Sequence, residues 1–254
     1  MESRLVIPTA EPFYFPGSKT GCLMVHGFTG TPKEMRPIGV RLASAGFTVY
    51  APRLPGHGTQ PRDLIRMRWQ DWLACVEDSL TLLSSLVDRT YIVGLSLGGM
   101  LSLIAAARYP VAGAVAIATL HHLPDDPRLP FVKPLSLFKP FFPKGSPVWY
   151  DKAAQAEHVS YPADPTRGYA EVRIVLEMMR AALPIITAPT LLINSLNDPT
   201  VRHADGHLDA ILAGLSHSHS RSVVVEKSGH VITADSERDI VAEHIIQFIR
   251  QTSP

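Results

Sequence analysis

Ser96 stands in Gly94-Leu95-Ser96-Leu97-Gly98-Gly99, directly after the apolar triplet Tyr91-Ile92-Val93 and ahead of an Ala-rich stretch closed by Pro110. In that setting a G-x-S-x-G run predicts a nucleophile elbow, a strand-to-helix turn that holds its serine in a strained backbone conformation. The turn leaves no room for bulk two residues to either side, and Gly94 and Gly98 meet that demand. It also sets the hydroxyl over a helix N-terminus, where unpaired N–H groups favour developing negative charge. A Gly-rich turn with an incidental serine is the plainer reading. Strand, elbow and helix in register weigh against it.

A serine hydroxyl attacks poorly near neutral pH unless a base takes its proton and a carboxylate orients that base. Leu191-Leu192-Ile193-Asn194-Ser195-Leu196-Asn197-Asp198 reads as a strand running into a loop that ends in an acid. Val223-Val224-Val225-Glu226-Lys227-Ser228-Gly229-His230 reads as a strand followed by a Ser-Gly-His loop. Both loops leave carboxyl ends of strands, where an open parallel sheet gathers its site. Asp198 is expected to orient His230, which takes the Ser96 proton and later returns it. An Asx turn before Pro199 and a surface-loop His are the simpler alternatives, yet neither explains the order serine, acid, histidine. Asp205, Asp209 and Asp235 are weaker acids for the role because each lies in a helical pattern.

An oxyanion formed at Ser96 needs two backbone N–H donors, and a misplaced one would cost about 3–4 kcal/mol in the transition state. Leu97, next after the serine, is expected to supply one. Phe28 in His26-Gly27-Phe28-Thr29-Gly30, the loop after the first core strand, is expected to supply the other. His26 precedes the nucleophile and reads as a loop-ordering residue. His57, in a Gly-His-Gly turn, reads as structural.

These residues need a sheet beneath them. Leu23-Met24-Val25, Phe47-Thr48-Val49-Tyr50, Tyr91-Ile92-Val93, Ala112 to Ala118, Leu191-Leu192-Ile193 and Ser222 to Val225 read as strands, apolar on both faces as in a sheet covered on both sides. Helical patterns separate them. Thr31-Pro32-Lys33-Glu34 resembles a capping box, Pro37 should kink that helix or move its start, and Gly46 should stop it. Leu73, Val76, Leu80, Leu83 and Val87 share one face of a second helix, and Val241, His244, Ile245 and Phe248 one face of the last. Such alternation predicts an α/β chain with a mostly parallel central sheet flanked by helices.

From about Leu120 to Pro184 the rhythm stops and no strand is evident. Ordinary connections run about 2–6 residues, so an insertion this long suggests a small helical cap over a binding site. The expected division is a core over 1–119, a cap over 120–184 and the rest of the core over 185–254. The Phe- and Leu-rich segment Leu129 to Pro143, with Phe131, Leu135 and Phe138, can line an acyl pocket or make transient contact with a lipid surface, Lys133, Lys139 and Lys144 facing headgroups. Ordinary packing of a lid would use the same residues. Val172, Val175, Leu176 and Met179 share one face of a cap helix, as a substrate wall or simply as core, and Val172, Leu176 and Met179 are the candidate wall.

Composition narrows the class. The 24 basic and 23 acidic side chains balance to +1, which argues against nucleic acid, a partner that needs a clustered basic face. Two cysteines, Cys22 and Cys75, exclude a disulfide framework or a multi-thiolate zinc site and read as small core residues. His203 and His207 bracket Asp205 at helical spacing but lack a further ligand, so no metal is expected. Ser216 to Ser220 reads as a polar loop. No run approaches 18 apolar residues, and the start has no signal-like apolar region, so a cytoplasmic chain without stable membrane insertion is expected, monomer or homodimer.

The chain also resembles the bacterial carboxylesterase and monoacylglycerol lipase family of α/β-hydrolases. The likeness rests on His26-Gly27-Phe28-Thr29-Gly30-Thr31-Pro32, Pro52-Arg53-Leu54-Pro55-Gly56-His57-Gly58-Thr59, Asp71-Trp72, Gly94-Leu95-Ser96-Leu97-Gly98-Gly99 and Ser228-Gly229-His230-Val231. It covers most of Gly21 to Ala116 and of Pro189 to the end, and Pro199 directly after Asp198 is a departure. The resemblance implies an α/β-hydrolase fold and hydrolysis of carboxylic esters through an acyl-serine intermediate at Ser96, with His230 as base and without metal or organic cofactor. Short- to medium-chain acyl esters, monoacylglycerols included, are the expected substrates. The same residues would serve acyl transfer or cleavage of amides, lactones and diketones, and a non-catalytic ligand-binding member of the fold would usually lack one of the three.

Overall fold

Runs apolar on both faces pair into one seven-stranded sheet in a computed structural model that describes residues 5–123, 131–145, 147–216 and 219–252. The first five strands of the chain belong to it: β1 (Phe13–Phe15), β2 (Thr20–Val25), β3 (Thr48–Ala51), β4 (Arg89–Leu95) and β5 (Gly113–Ile117). A two-stranded ribbon, β6 (Phe141–Pro143) with β7 (Ala163–Pro165), stands apart, and β8 (Thr190–Ser195) and β9 (Arg221–Val225) complete the sheet. Its order is β1-β3-β2-β4-β5-β8-β9, with every pairing parallel except β1 on β3. Val25 pairs with Gly94, so the loops after β2 and β4 emerge side by side. Ile193 pairs with Val223, which does the same for the loops after β8 and β9.

Successive strand residues point to opposite faces, and each face has its own apolar layer. Leu23, Val25 and Ile92 enter one layer with Trp72, Val76, Leu80 and Leu101. Cys22, Met24, Tyr91 and Val93 enter the other with Ile38, Leu42, Val241, Ile245 and Phe248. The helices behind those layers follow in chain order: α1 (Arg36–Ser44), the short α2 (Pro61–Arg66), α3 (Trp69–Ser84), α4 (Leu97–Arg108), α5 (Val132–Phe138), α6 (Lys152–Glu157), α7 (Thr166–Ala182), α8 (His207–Gly214) and α9 (Arg238–Thr252). Between β5 and β8 lie the ribbon and α5 to α7, where the strand-helix rhythm was expected to stop.

Several local expectations change. Pro37 lies in the first turn of α1 and so moves the helix start to Arg36 after a 3₁₀ turn, and Gly46 closes it with φ 96°. The capping box does not form: Thr31 donates its hydroxyl to Val159 O at 3.1 Å, and Glu34 faces inward. Long-range partners outcompete the local cap. β1 is added at an edge, and β6 and β7 break the expectation of a strandless insertion. Each has only three residues, with prolines in or beside it, too few for a period of two to register. His244 is half-buried while Val241, Ile245 and Phe248 are buried. Leu129 and positions 217–218 of the polar loop lie outside the described residues.

Candidate active site

Ser96 leaves β4 with φ 53° and ψ −113°, the strained geometry expected of a nucleophile elbow. Close backbone approach explains the flanking glycines. A Cβ on Gly94 would fall 2.0 Å from Gly98 O, and one on Gly98 would fall 2.1 Å from Val25 O. Ser96 N–H donates to Ile117 O at 2.8 Å, tying the turn to the neighbouring strand. Leu97 is the first residue of α4, so its N–H lies among the amides that a helix start leaves without an intrahelical acceptor.

Asp198 and His230 meet at the ends of β8 and β9. His230 Nδ1 lies 2.8 Å from Asp198 Oδ2, and Asp198 is buried. The other carboxylate oxygen accepts N–H groups from Thr200 at 2.7 Å and Val201 at 2.9 Å. Asp198 therefore makes the Asx-type turn and the histidine contact together. Pro199, without an N–H, sits at the one position of that turn where none is used. Burial works to raise the Asp198 pKa, but His230 and the two amides outweigh it and leave it below the ordinary carboxylate value. Burial works against the His230 imidazolium, and the Asp198 carboxylate overcomes it, so the pKa is raised. No hydrogen bond joins the Ser96 hydroxyl to the His230 ring among the described residues. Catalytic hydrogen bonds are often long before substrate binds and tighten in the complex.

The loop after β2 comes up against the elbow, for a Cβ on Gly27 would lie 3.7 Å from Ser96 Cβ. His26 is fully buried and orders this loop. Its Nδ1 lies 2.9 Å from Gly27 O, and its Nε2 accepts Leu54 N–H at 3.1 Å. Those partners require a neutral ring with its proton on Nδ1, and burial pushes its pKa down accordingly. Gly27 O also accepts Gly30 N–H at 3.3 Å. A trans peptide is planar, so fastening the Gly27 carbonyl aims the Phe28 N–H in the opposite direction. The Phe28 ring is itself held, edge-on to His57 and Trp72 and 6.0 Å from Tyr169 of α7. His57 is buried against His26 and Trp72, with Nδ1 3.1 Å from Pro55 O.

The residues expected to line a substrate wall separate into two groups. Val172, Leu176 and Met179 are buried in the same layer as Leu97, Met100 and Leu101 of α4. Phe131 and Phe138 are 64% and 87% exposed, and Leu135 is half-buried. Among the described residues no group of three or more His, Cys, Asp or Glu side chains could hold a metal ion. His207 instead stacks against His122 at 4.1 Å. Cys22 and Cys75 are free thiols.

Two acids escaped sequence reading. Asp235 was expected in a helical pattern but lies in the turn before α9, fully buried, where it accepts N–H groups from Gly229, Tyr150, Asp151 and Ser236. Glu34 is buried under the Gly27–Gly30 loop and accepts Gly27 N–H at 3.3 Å. Nothing local marks either role, because the partners arrive from distant segments.

Comparison with known proteins agrees with this fold. The model of the "Alpha/beta hydrolase family" matches residues 22–244. The chain is 33% identical over 244 residues to the thermostable monoacylglycerol lipase of Bacillus sp. (strain H-257), covering 96% of this chain and 95% of that one. It is 27% identical over 248 residues to a carboxylesterase of Bacillus subtilis (strain 168), covering 96% and 98%. A solved structure of the metagenome-derived lipolytic enzymes LipS and LipT superposes with a TM-score of 0.89 at 30% identity, over 97% of this chain and 99% of that one. Paleococcus ferrophilus monoacylglycerol lipase shares the fold, with a TM-score of 0.80 at 18% identity over 95% and 98% of the two chains.

Proposed function

The chain belongs to the alpha/beta hydrolase family, and we propose that it hydrolyses carboxylic esters through an acyl-serine intermediate. The observation that carries this reading is the buried Asp198 carboxylate bonded at 2.8 Å to His230, beside a serine held at φ 53° at the start of α4. Ser96 Oγ attacks the ester carbonyl carbon while His230 Nε2 takes its proton. Asp198 keeps the imidazole in the Nδ1–H tautomer and stabilises the imidazolium that forms. The N–H groups of Phe28 and Leu97 receive the negative charge on the carbonyl oxygen. Collapse of the tetrahedral intermediate expels the alcohol, which leaves with the proton from His230. Water then attacks the acyl-serine by the same relay and releases the acid.

The substrates proposed are short- to medium-chain acyl esters, monoacylglycerols among them; the names of the two Bacillus relatives support carboxylic esters and monoacylglycerols as the class. Residues 120–184 serve as a cap between core segments 1–119 and 185–254. Val172, Leu176 and Met179 border the acyl site through their packing beside Leu97. The exposed Phe131, Leu137 and Phe138, with Lys133 and Lys139 among them, make transient contact with lipid surfaces. No helix among the described residues is long and apolar enough to cross a membrane, and the free thiols suit a reducing cytoplasm.

The test is turnover of a p-nitrophenyl ester series of increasing acyl length, then mono-, di- and triacylglycerol, by the wild type and Ser96→Ala. Turnover should vanish in the variant and fall sharply beyond monoacyl substrates. Undiminished hydrolysis by Ser96→Ala would end the assignment.

A further inference from the structure

Glu34 is a buried carboxylate outside the proton relay, and it joins two parts of the molecule. Its Oε2 accepts Gly27 N–H at 3.3 Å, while its Oε1 lies 2.8 Å from Nε2 of His158 in the insertion. The fit is close: a Cβ on Gly30 would fall 2.1 Å from Oε2. Two more bonds fasten the same stretch of insertion to the same loop. Thr31 Oγ1 donates to Val159 O at 3.1 Å, and Tyr161 N–H donates to Thr29 O at 3.0 Å.

We propose that Glu34 is a positioning residue coupling the seating of residues 158–161 to the aim of the Phe28 amide, so that the oxyanion donor is held in place only while this part of the insertion is docked. The inference rests on the ester-hydrolase reading above. Gly27 is fastened at both ends, its carbonyl by His26 and its N–H by Glu34. A buried carboxylate that loses its partner is costly, so undocking His158 would send Glu34 toward water and release Gly27 N–H. Room for that movement exists. A cavity of about 280 Å³ adjoins the pair, lined by Lys33, Glu34, Trp149, Glu157, His158 and Arg238. Closure of a lid that completes a catalytic constellation is a common enzyme device.

The titratable groups facing Glu34 are His158 and Lys144 from the insertion, His26 from the loop after β2 and His230 from the loop after β9. Burial works to raise the Glu34 pKa, but the His158 bond, with Lys144 nearby, holds it below the ordinary value. The resulting carboxylate favours protonated His230.

The experiment compares Glu34→Ala, Glu34→Gln and His158→Ala in the full chain, with p-nitrophenyl butyrate as probe and thermal unfolding to establish that each variant folds. Glu34→Ala should lower kcat by about 10- to 100-fold with KM nearly unchanged, as expected for a misaimed oxyanion donor. Glu34→Gln keeps an acceptor for Gly27 and should restore most of kcat, while the acid limb of kcat/KM moves to lower pH. His158→Ala should lower kcat in the same sense. A folded Glu34→Ala or His158→Ala with wild-type kcat would overturn the proposal, as would a folded Glu34→Gln that loses as much kcat as Glu34→Ala. If Glu34→Ala does not fold, the other two variants decide. Ser96→Ala separates the readings: activity in that variant defeats the ester-hydrolase assignment, whereas an inactive Ser96→Ala beside an unimpaired Glu34→Ala defeats only this one.

Discussion

Asp235 Oδ2 accepts the N–H of Gly229 at 2.8 Å, one residue before His230, and the same carboxylate accepts the amides of Tyr150 and Asp151 from the insertion. The space over Gly229 is filled as well, since a Cβ there would fall 1.8 Å from Val148 O. The loop carrying His230 and the segment leading into α6 are thus held by one buried acid. Asp235→Ala would leave the buried Gly229 N–H without its acceptor, at about 1–3 kcal/mol, and would take the same acceptor from the partly buried amides of Tyr150, Asp151 and Ser236. The expected outcome is a loss of about 3 kcal/mol or more in denaturant unfolding, with kcat falling in whatever fraction stays folded. Wild-type stability and kcat in Asp235→Ala would contradict it.

Asp198→Asn separates the two duties of that side chain. The carboxamide oxygen can still accept the Thr200 and Val201 amides, so the turn and the melting temperature should change little. It cannot bind His230 through an anionic oxygen. Turnover of a p-nitrophenyl ester should drop on the order of 10³–10⁴-fold, the cost of an imidazole in the wrong tautomer.

The Asp198–His230 pair should also give stability a definite pH dependence. The Asp198 pKa is lowered and the His230 pKa raised. The acid's contribution is present above its unfolded value of about 3.9 and is lost as pH falls through the lower folded one. The histidine's is present below its unfolded value of about 6.5 and is lost as pH rises through the higher folded one. Urea unfolding of the wild type against His230→Ala should therefore differ most between about pH 4 and 6.5 and converge above and below. Activity has the opposite preference, needing neutral His230, so kcat/KM should rise with pH through the raised pKa.

Backbone contact at the elbow predicts that Gly98→Ala is intolerable, because its Cβ would meet Val25 O at 2.1 Å and no side chain can yield. A loss of upwards of about 3 kcal/mol, or failure to accumulate as folded protein, is expected. Gly145→Ala is the control, for a Cβ there meets nothing within 4 Å. Chemical denaturation of both variants checks the contrast.

Much of the candidate site was legible because it is written locally. Gly94-Leu95-Ser96-Leu97-Gly98 carries its own backbone geometry, and Asp198 and His230 each follow an apolar strand, so a parallel sheet brings them to one rim. His26 was legible as a loop-ordering residue from its place before Ser96, though its bond to Leu54 N–H was not. The short strands β1, β6 and β7 were not legible, since three residues cannot display a period.

Sequence by itself determined the order of the longer strands and the helices between them, the two-faced apolar sheet and the chain order of serine, acid and histidine, because each depends on neighbours a few positions apart. Tertiary structure decided the rest. The Glu34 carboxylate could have capped its own helix turn, yet it pairs with His158, 124 positions away, and Asp235 bonds to Asp151 across 84. A buried charge takes the donors that the folded chain brings to it, and hydrogen-bonding capacity shows in a residue type while the partner does not. The same holds for Val172, Leu176 and Met179, whose stripe was plain in the sequence but whose neighbour, the helix begun at Leu97, was set by packing alone.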